Sequence, residues 1–224
     1  MQGTDRSDGS RALNVAGVVL AAGLSRRMGA HKPLLPFGAE PMVARVVDAV
    51  CSAGVSCVAV VTGHRADAVA AALAGRDVLL VDNPSYRGGE MLSSVQAGVR
   101  AVAPGCGAAL LALGDQPAVE PATIASLISA WRRTKSAIVA PVHDGRGGHP
   151  ILISSRLFDE LFHLDASESL KTVMLRHADD TLKLEVDDPG VLTDVDTPAD
   201  YEQALRVRRH RQLNGQQDLD AVEA

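Results

Sequence analysis

The sequence predicts a three-layer α/β/α sandwich built on a mainly parallel sheet. Three observations predict it. Short apolar runs alternate with segments of helical spacing through residue 140. The runs are apolar on consecutive residues rather than on every second one, which suits strands covered on both faces. Most are followed by a helical segment, the order expected of parallel strands joined by crossovers. Right-handed crossovers then give a doubly wound sheet.

The elements follow in order. Val15–Ala21 is an apolar run that leaves through Gly23 and reads as a buried strand. Pro41–Ala53 has helical spacing and stops at Gly54, a natural C-cap. Ser56–Val61 is the next strand and Arg65–Leu73 an Ala-rich helix. Val78–Val81 is a third strand, halted by Asn83-Pro84. Ser93–Val102 reads as helix, Ala108–Leu113 as strand, Pro121–Trp131 as helix and Ala137–Ala140 as strand. The remainder is less regular. A glycine-rich loop, Gly145–Gly148, precedes a strand at Pro150–Ile153, and an insertion is expected near residues 143–155. Arg156–His163 and Ser169–His177 read as short helices, Leu182–Val186 as a strand and Pro198–Arg208 as a terminal helix.

A length of 224 residues suits one α/β domain, and nothing resembling an interdomain linker divides it. Residues 1–13 are expected to be disordered, 14–206 to form the domain and 207–224 to be a polar tail. With 46% hydrophobic and 22% charged residues the chain is an ordinary globular one, not a disordered or collagenous one. No apolar run approaches the roughly 18 residues of a membrane span. The polar start does not read as a secretory signal, so a cytoplasmic protein is expected. A net charge of −5 and 3% aromatic residues argue against a nucleic-acid partner. Cys51, Cys57 and Cys106 show no zinc-ligand spacing and are expected to be small buried hydrophobes.

The loop after the first strand concentrates the chemistry. Ligands of open α/β sheets sit at the carboxyl ends of strands. Leu20, Ala21, Ala22 and Gly23 carry small side chains there, apart from Leu20, and would let a base or phosphate approach the backbone. Arg26, Arg27 and Lys32 follow, and exposed amides with cations make an anion cradle. The spacing is neither GxGxxG nor that of the P-loop, since Lys32 is followed by Pro33.

Leu20 to Lys32 as a whole resembles the L-A-A-G-x-S-x-R-M-G-x-x-K signature of the MobA-like nucleotidyltransferases. Further motifs match in order: Asn83-Pro-Ser-Tyr with Gly88 and Ser94-Val-Gln-Ala-Gly, Leu113-Gly-Asp-Gln-Pro, Gly147-Gly-His-Pro and Asp194-Val-Asp-Thr-Pro-Ala-Asp. Within the superfamily they look most like the molybdenum cofactor cytidylyltransferases, because the guanylyl branch usually has Ala-Gly-Gly in the first loop. The resemblance implies a Rossmann-like sheet of the nucleotide-diphospho-sugar transferase type. It implies Mg²⁺-dependent transfer of NMP, CMP from CTP, to a phosphate on molybdenum-molybdopterin, for delivery to a client molybdoenzyme.

The resemblance also assigns residues. Leu20–Gly23 would hold the base, with Arg27 and Lys32 on the triphosphate and Asp115 and Asp196 on the metal. Ser94 would contact base or ribose, although a helix-start serine bonding backbone explains it equally well. Thr197-Pro198 after Asp196 also marks a helix start, and the two readings are compatible. Asp194 is the lesser metal candidate, His149 a candidate for the acceptor pocket and His64 a helix-start residue. His31 sits beside the phosphate-binding residues without an assigned role. The chain departs from the family at Glu90-Met-Leu and at Ser167-Glu-Ser-Leu-Lys, near the base and acceptor positions. A guanylyl- or sugar-phosphate nucleotidyltransferase and a non-catalytic molybdopterin-binding chaperone are the alternative readings.

Overall fold

Residues 13–88, 91–165 and 167–209 are described in the computed structural model. Their strands are β1 Val15–Leu20, β2 Pro36–Phe37, β3 Glu40–Pro41, β4 Val58–Thr62, β5 Leu79–Asp82, β6 Ala108–Leu113, β7 Ile138–His143, β8 Arg146–Gly147, β9 Ile151–Ser154 and β10 Thr181–Glu185. The helices are α1 Met42–Ser52, α2 Ala66–Ala72, α3 Met91–Val102, α4 Pro121–Thr134, α5 Phe158–Phe162, α6 Leu170–Arg176 and α7 over 198–209. No described helix is long and apolar enough to cross a membrane.

The main sheet runs β10-β7-β9-β6-β1-β4-β5, with β8 folded against β7. β1 pairs in parallel with β4 on one side and β6 on the other. Leu20 lies opposite both Val61 and Leu113, so the carboxyl ends of three strands meet there. The chain winds outward through β4 and β5 on one side and through β6 on the other, which makes β1 the switch point where such sheets bind ligands.

Apolar side chains on both strand faces make the three layers. Val15 and Val19 of β1 join a core with α1 and α4, through Val43, Val47, Ile124 and Leu127. Ala16 and Val18 join the opposite core with α3 and α5, through Leu92, Val95, Val99 and Leu161. Burial of a valine or leucine contributes about 1.5–3 kcal/mol, against roughly 1–2 kcal/mol of backbone entropy per ordered residue. A strand with both faces covered therefore gains most, and β1 is such a strand. A third, smaller cluster of Phe37, Met42, Ala118, Val195 and Ala204 ties α7 to the β2–β3 hairpin.

Several sequence expectations shift. The 143–155 insertion is ordered as strand. Asp144 and Gly145, at φ +50° and +73°, turn β7 into β8, and β9 runs antiparallel between β6 and β7. Asp-Gly between strands is a hairpin signal that the glycine-rich loop obscured. Cys51 and Cys57 are exposed, and only Cys106 is buried. Cys51 falls on the outward side of α1, whose valines Val43, Val46, Val47 and Val50 turn inward, and Cys57 sits just before β4 begins. The terminal helix extends through 209, past the expected start of the polar tail. Residues 1–12 and 210–224 lie outside the described residues.

Gly98 lets α3 lie directly on the sheet. A Cβ there would overlap Val18 Cγ1 and sit 2.8 Å from Val61 Cγ2, both in β-branched side chains with little rotamer freedom. Gly98→Val is expected to destabilise the fold toward the upper end of about 1–3 kcal/mol, lowering the melting temperature by several degrees. An unchanged thermal melt would show that this close approach is not needed.

Candidate active site

The first loop is held by its neighbours at both sides. Ala21 N–H donates to Val61 O at 2.9 Å, Gly114 N–H to Leu20 O at 2.9 Å and His64 N–H to Ala22 O at 3.2 Å. Gly114 has to be glycine, because a Cβ would sit 2.8 Å from Leu20 O. Beyond Gly23 the chain reverses through Ser25 and Gly29, at φ +51° and +70°. Met28 N–H donates to Ser25 O, and Lys32 N–H donates to Ser25 Oγ at 3.1 Å. This folded loop carries Lys32 back over the strand ends.

A cleft of about 530 Å³ opens at that edge. Leu20, Ala22, Tyr86, Met91 and Ser94 contribute a mainly apolar lining on the β4–β5 side. Arg26, Arg27, Lys32, Asp115, Asp194 and Asp196 contribute the charge. Lys32 joins the charged residues: its Nζ donates to Asp115 Oδ2 at 3.1 Å and to Asp196 Oδ1 at 2.5 Å. Arg27 Nη2 meets the second oxygen of Asp196 at 2.7 Å. Two carboxylates on one ammonium are close enough to share a cation.

Each carboxylate is set by a different device. Asp115 follows β6 after one glycine, and its carbonyl accepts Val195 N–H at 3.2 Å. Asp196 stands just before α7, where Asp200 Oδ2 accepts from Asp196 N–H at 3.2 Å, Thr197 N–H at 2.7 Å and Thr197 Oγ1 at 2.8 Å. Asp200 N–H returns a bond to Thr197 Oγ1, which closes a capping box, so Asp196 both neighbours a helix start and lines the cleft. Gln116, buried beside Asp115, donates to Asp194 Oδ1 at 2.6 Å and fastens the 191–196 segment to the end of β6.

The charges respond to this packing. Loss of hydration pushes the Asp115 carboxyl above the ordinary carboxylate value against the pull of Lys32, and the charge of Asp194 adds to the push. The hydrogen bond from Lys32 holds Asp196 below its ordinary value, with Arg27 assisting. Burial works against the Lys32 charge, but its bonds to Asp196 and Asp115 prevail and raise its pKa.

Of the residues singled out from sequence, Leu20, Ala21, Ala22, Gly23, Arg27, Lys32, Ser94, Asp115 and Asp196 all line the one cleft. Lys32 differs from expectation in being buried, at 8% exposure, and the chain supplies its own counter-charges to Lys32 and Arg27. His149 is outside the cleft lining but near enough for Asp194 and Asp115 to act on its ring, which burial keeps neutral by lowering its pKa. His31 is buried, packs edge-on to His64 at 5.2 Å between ring centroids, and is lowered to about 4 by burial, His64 and Arg65. Glu90 lies outside the described residues. Sequence reasoning gave no role to Gln116, Asp200 or Asn83, although each belongs to a motif that it had marked.

A family model, the MobA-like NTP transferase domain, matches residues 17–181. The chain belongs to this family. The molybdenum cofactor cytidylyltransferase of Escherichia coli K12 is 29% identical over 189 residues, spanning 82% of this chain and 92% of that protein. The crystal structure of Rv0371c from Mycobacterium tuberculosis H37Rv is 32% identical, with a TM-score of 0.74 over 86% of this chain and 98% of that one. Rv0371c in complex with manganese is 30% identical, with a TM-score of 0.70 over the same shares. The fold is that of the nucleotide-diphospho-sugar transferases.

Lys32→Ala leaves Asp115 and Asp196 facing each other without their cation, so the folded-state pKa of Asp115 should rise further. A carboxyl whose folded pKa exceeds its unfolded value costs stability above that pKa and ceases to do so as pH falls through it. The melting temperature of the variant should therefore fall short of wild type most at neutral pH, and the gap should narrow toward pH 4. A pH-independent gap in thermal melts would contradict this.

Proposed function

We propose that the chain transfers CMP from CTP to the phosphate of a molybdopterin-type acceptor. An acceptor phosphate oxygen attacks the α-phosphorus, the bond from that phosphorus to the α–β bridging oxygen breaks, and pyrophosphate leaves. The observation that carries this reading is the cluster of Lys32, Asp115, Asp196 and Arg27 in a cleft whose other side is apolar. One side suits a base and the other suits phosphates. The E. coli cytidylyltransferase, similar over most of both chains, supports the choice of CTP and molybdopterin.

The donor set fits a divalent cation. Asp115 and Asp196 offer hard oxygen ligands that converge on one point. Among the described residues no group of three or more His, Cys, Asp or Glu could hold a metal unaided. Mg²⁺ typically takes one or two carboxylates and completes its shell with water and substrate phosphates. Asp115 and Asp196 would hold it, and when bound it neutralises charge on the phosphate oxygens. The manganese complex of Rv0371c agrees with divalent-metal use in this fold.

The protein groups work by alignment and by neutralising charge. Backbone at Leu20–Gly23 orients the nucleotide, and the open space beside Gly23 admits it. Lys32 and Arg27 donate to phosphate oxygens as charge grows at the α-phosphorus. No covalent nucleophile is required, because the acceptor phosphate is already anionic. Burial of His149 favours its neutral form, so it would border the acceptor side while adding little positive charge there.

Pyrophosphate release measured with each of the four NTPs, with and without purified molybdopterin, tests the proposal. Release is expected with CTP only when the acceptor is present, and silence with every NTP would refute nucleotidyl transfer to this acceptor. Arg27→Ala, Asp115→Asn and Asp196→Asn should each lower kcat/KM by roughly 10²–10³. Asp115→Asn and Asp196→Asn should also shift the Mg²⁺ titration, and Asp115→Asn more so. A wild-type Mg²⁺ response in both would make the carboxylates purely structural.

Nucleotide choice gives a second test. The buried Ala22 methyl lines the cleft where the guanylyl branch usually has glycine. One methyl is worth about 1–3 kcal/mol of discrimination. CTP should exceed GTP in kcat/KM, and Ala22→Gly should narrow the gap without reversing it. A wild-type preference for GTP or ATP would remove the cytidylyl assignment.

A further inference from the structure

Lys32 and Asp196, paired at the cleft, begin two segments that meet again outside it. From Lys32 the chain passes Leu35, whose N–H donates to Lys32 O at 2.9 Å, and enters the β2–β3 hairpin. Met42 N–H donates to Leu35 O at 2.9 Å where the hairpin ends. From Asp196 the chain enters α7, whose first turn is fixed by Asp200 and by Tyr201 N–H on Thr197 O at 3.1 Å. A helix of the twelve residues 198–209 is about 18 Å long and rigid, so a displacement along its length is felt at its start.

Two polar contacts clasp α7 to the hairpin. The Tyr201 hydroxyl donates to Pro36 O. The Arg208 guanidinium lies over the Phe37 ring, 5.4 Å from its centroid, and against Gly38, whose φ of +85° turns the hairpin. Tyr201, Ala204 and Leu205 also pack with Phe37, Met42 and Val195. That packing is incomplete, because a cavity of about 410 Å³ opens among Arg208, Phe37, Ala39, Arg45 and Ala118. Apolar burial is non-directional, and beside a cavity it does not define one seat for the helix. A hydrogen bond does fix distance and angle. Among the described residues, the Tyr201 hydroxyl makes the one hydrogen bond from residues 198–209 to another element.

We propose that Tyr201 is a positioning residue which, with Arg208, seats α7 so that Asp196 converges with Asp115 on a divalent cation. The two carboxylates stand on different elements, one beyond β6 and one before α7, so their separation depends on where α7 rests. Mg²⁺ demands near-ideal octahedral geometry, so a small shift of one carboxylate weakens its hold. This rests on the nucleotidyl-transfer reading and deepens it by giving the metal pair a control point outside the cleft.

Equilibrium binding of CTP, measured with saturating Mn²⁺ and again in EDTA, tests it. The ratio of the two affinities is the gain that the metal supplies. Tyr201→Phe keeps the ring and loses only the hydroxyl. It should reduce the gain about twofold to tenfold, the worth of one neutral hydrogen bond, and leave affinity in EDTA unchanged. Arg208→Ala should act in the same direction, and Arg208→Lys, which keeps a cation near Phe37, should retain the wild-type gain. In an Asp196→Asn background, Tyr201→Phe should change the gain no further. A merely structural role would lower the melting temperature, or both affinities alike, with the gain at its wild-type value, and this overturns the proposal. A loss of gain as large without the Asp196 carboxylate as with it also overturns it. CTP binding by the wild type with no gain from Mn²⁺ removes the metal pair and this proposal while leaving the nucleotide site. No binding of CTP at all removes the nucleotide reading as well.

Discussion

One ammonium group organises this site. Lys32 Nζ joins Asp115, at the end of β6, to Asp196, at the start of α7, and its own backbone N–H is tied to Ser25 in the β1 loop. Three segments far apart in sequence are thus fixed to one point. A single exposed ion pair contributes little, but this one is shared between two carboxylates and shielded from water, so it is screened far less than a surface pair. Removal of Lys32 would leave the Asp115 carboxylate without its paired cation in poorly hydrated surroundings, which is the costly case.

The sheet explains why these groups meet at all. β1 lies between β4 and β6, and its carboxyl end opens where the chain winds off in two directions. The β4–β5 side carries Tyr86 and the start of α3, and the β6 side carries Asp115. A ligand lying across β1 therefore meets an apolar wall at one end and fixed charge at the other. Close backbone approach is required on both flanks: Gly98 brings α3 onto β1 and β4, and Gly114 lets the end of β6 reach Leu20.

The cluster is neutralised within the protein, and this shapes what it can bind. On the proposed reading a triphosphate would not enter an unopposed cationic cradle; it would compete with Asp115 and Asp196 for Lys32 and Arg27. An anion carrying its own divalent cation would suit this arrangement, because Asp115 and Asp196 could hold the cation while Lys32 and Arg27 face the phosphates. The polar groups behind the cleft are similarly committed. The Gln116 amide nitrogen, Asn83 and Asp200 bond to backbone and neighbouring side chains, and so fix direction at Asp194, Ser94 and Asp196.

Much of the fold and most of the cleft residues were legible in the sequence. Continuous apolar runs, with Gly54 and Pro121 as helix punctuation, are local signals that arise from backbone sterics and from strands buried on both faces. The small residues at 21–23 and the acid one glycine beyond β6 are equally local, since the end of a strand dictates where they stand. Burial and partnership were not legible. The sequence shows Lys32 in a polar loop, and only the folded chain brings Asp115 and Asp196, 83 and 164 residues away, within hydrogen-bonding distance. The antiparallel placement of β9 between β6 and β7 is decided by sheet pairing, which the three apolar residues Ile151, Leu152 and Ile153 do not specify. The direction of the Ser94 hydroxyl depends on Asn83 from another element, fixed in turn by the backbone N–H of Ser85. Sequence by itself determined which chemical groups the strand ends would carry; tertiary structure decided which of them share a proton or a charge, because hydrogen bonds and short-range electrostatics depend on distances that only the packed sheet defines.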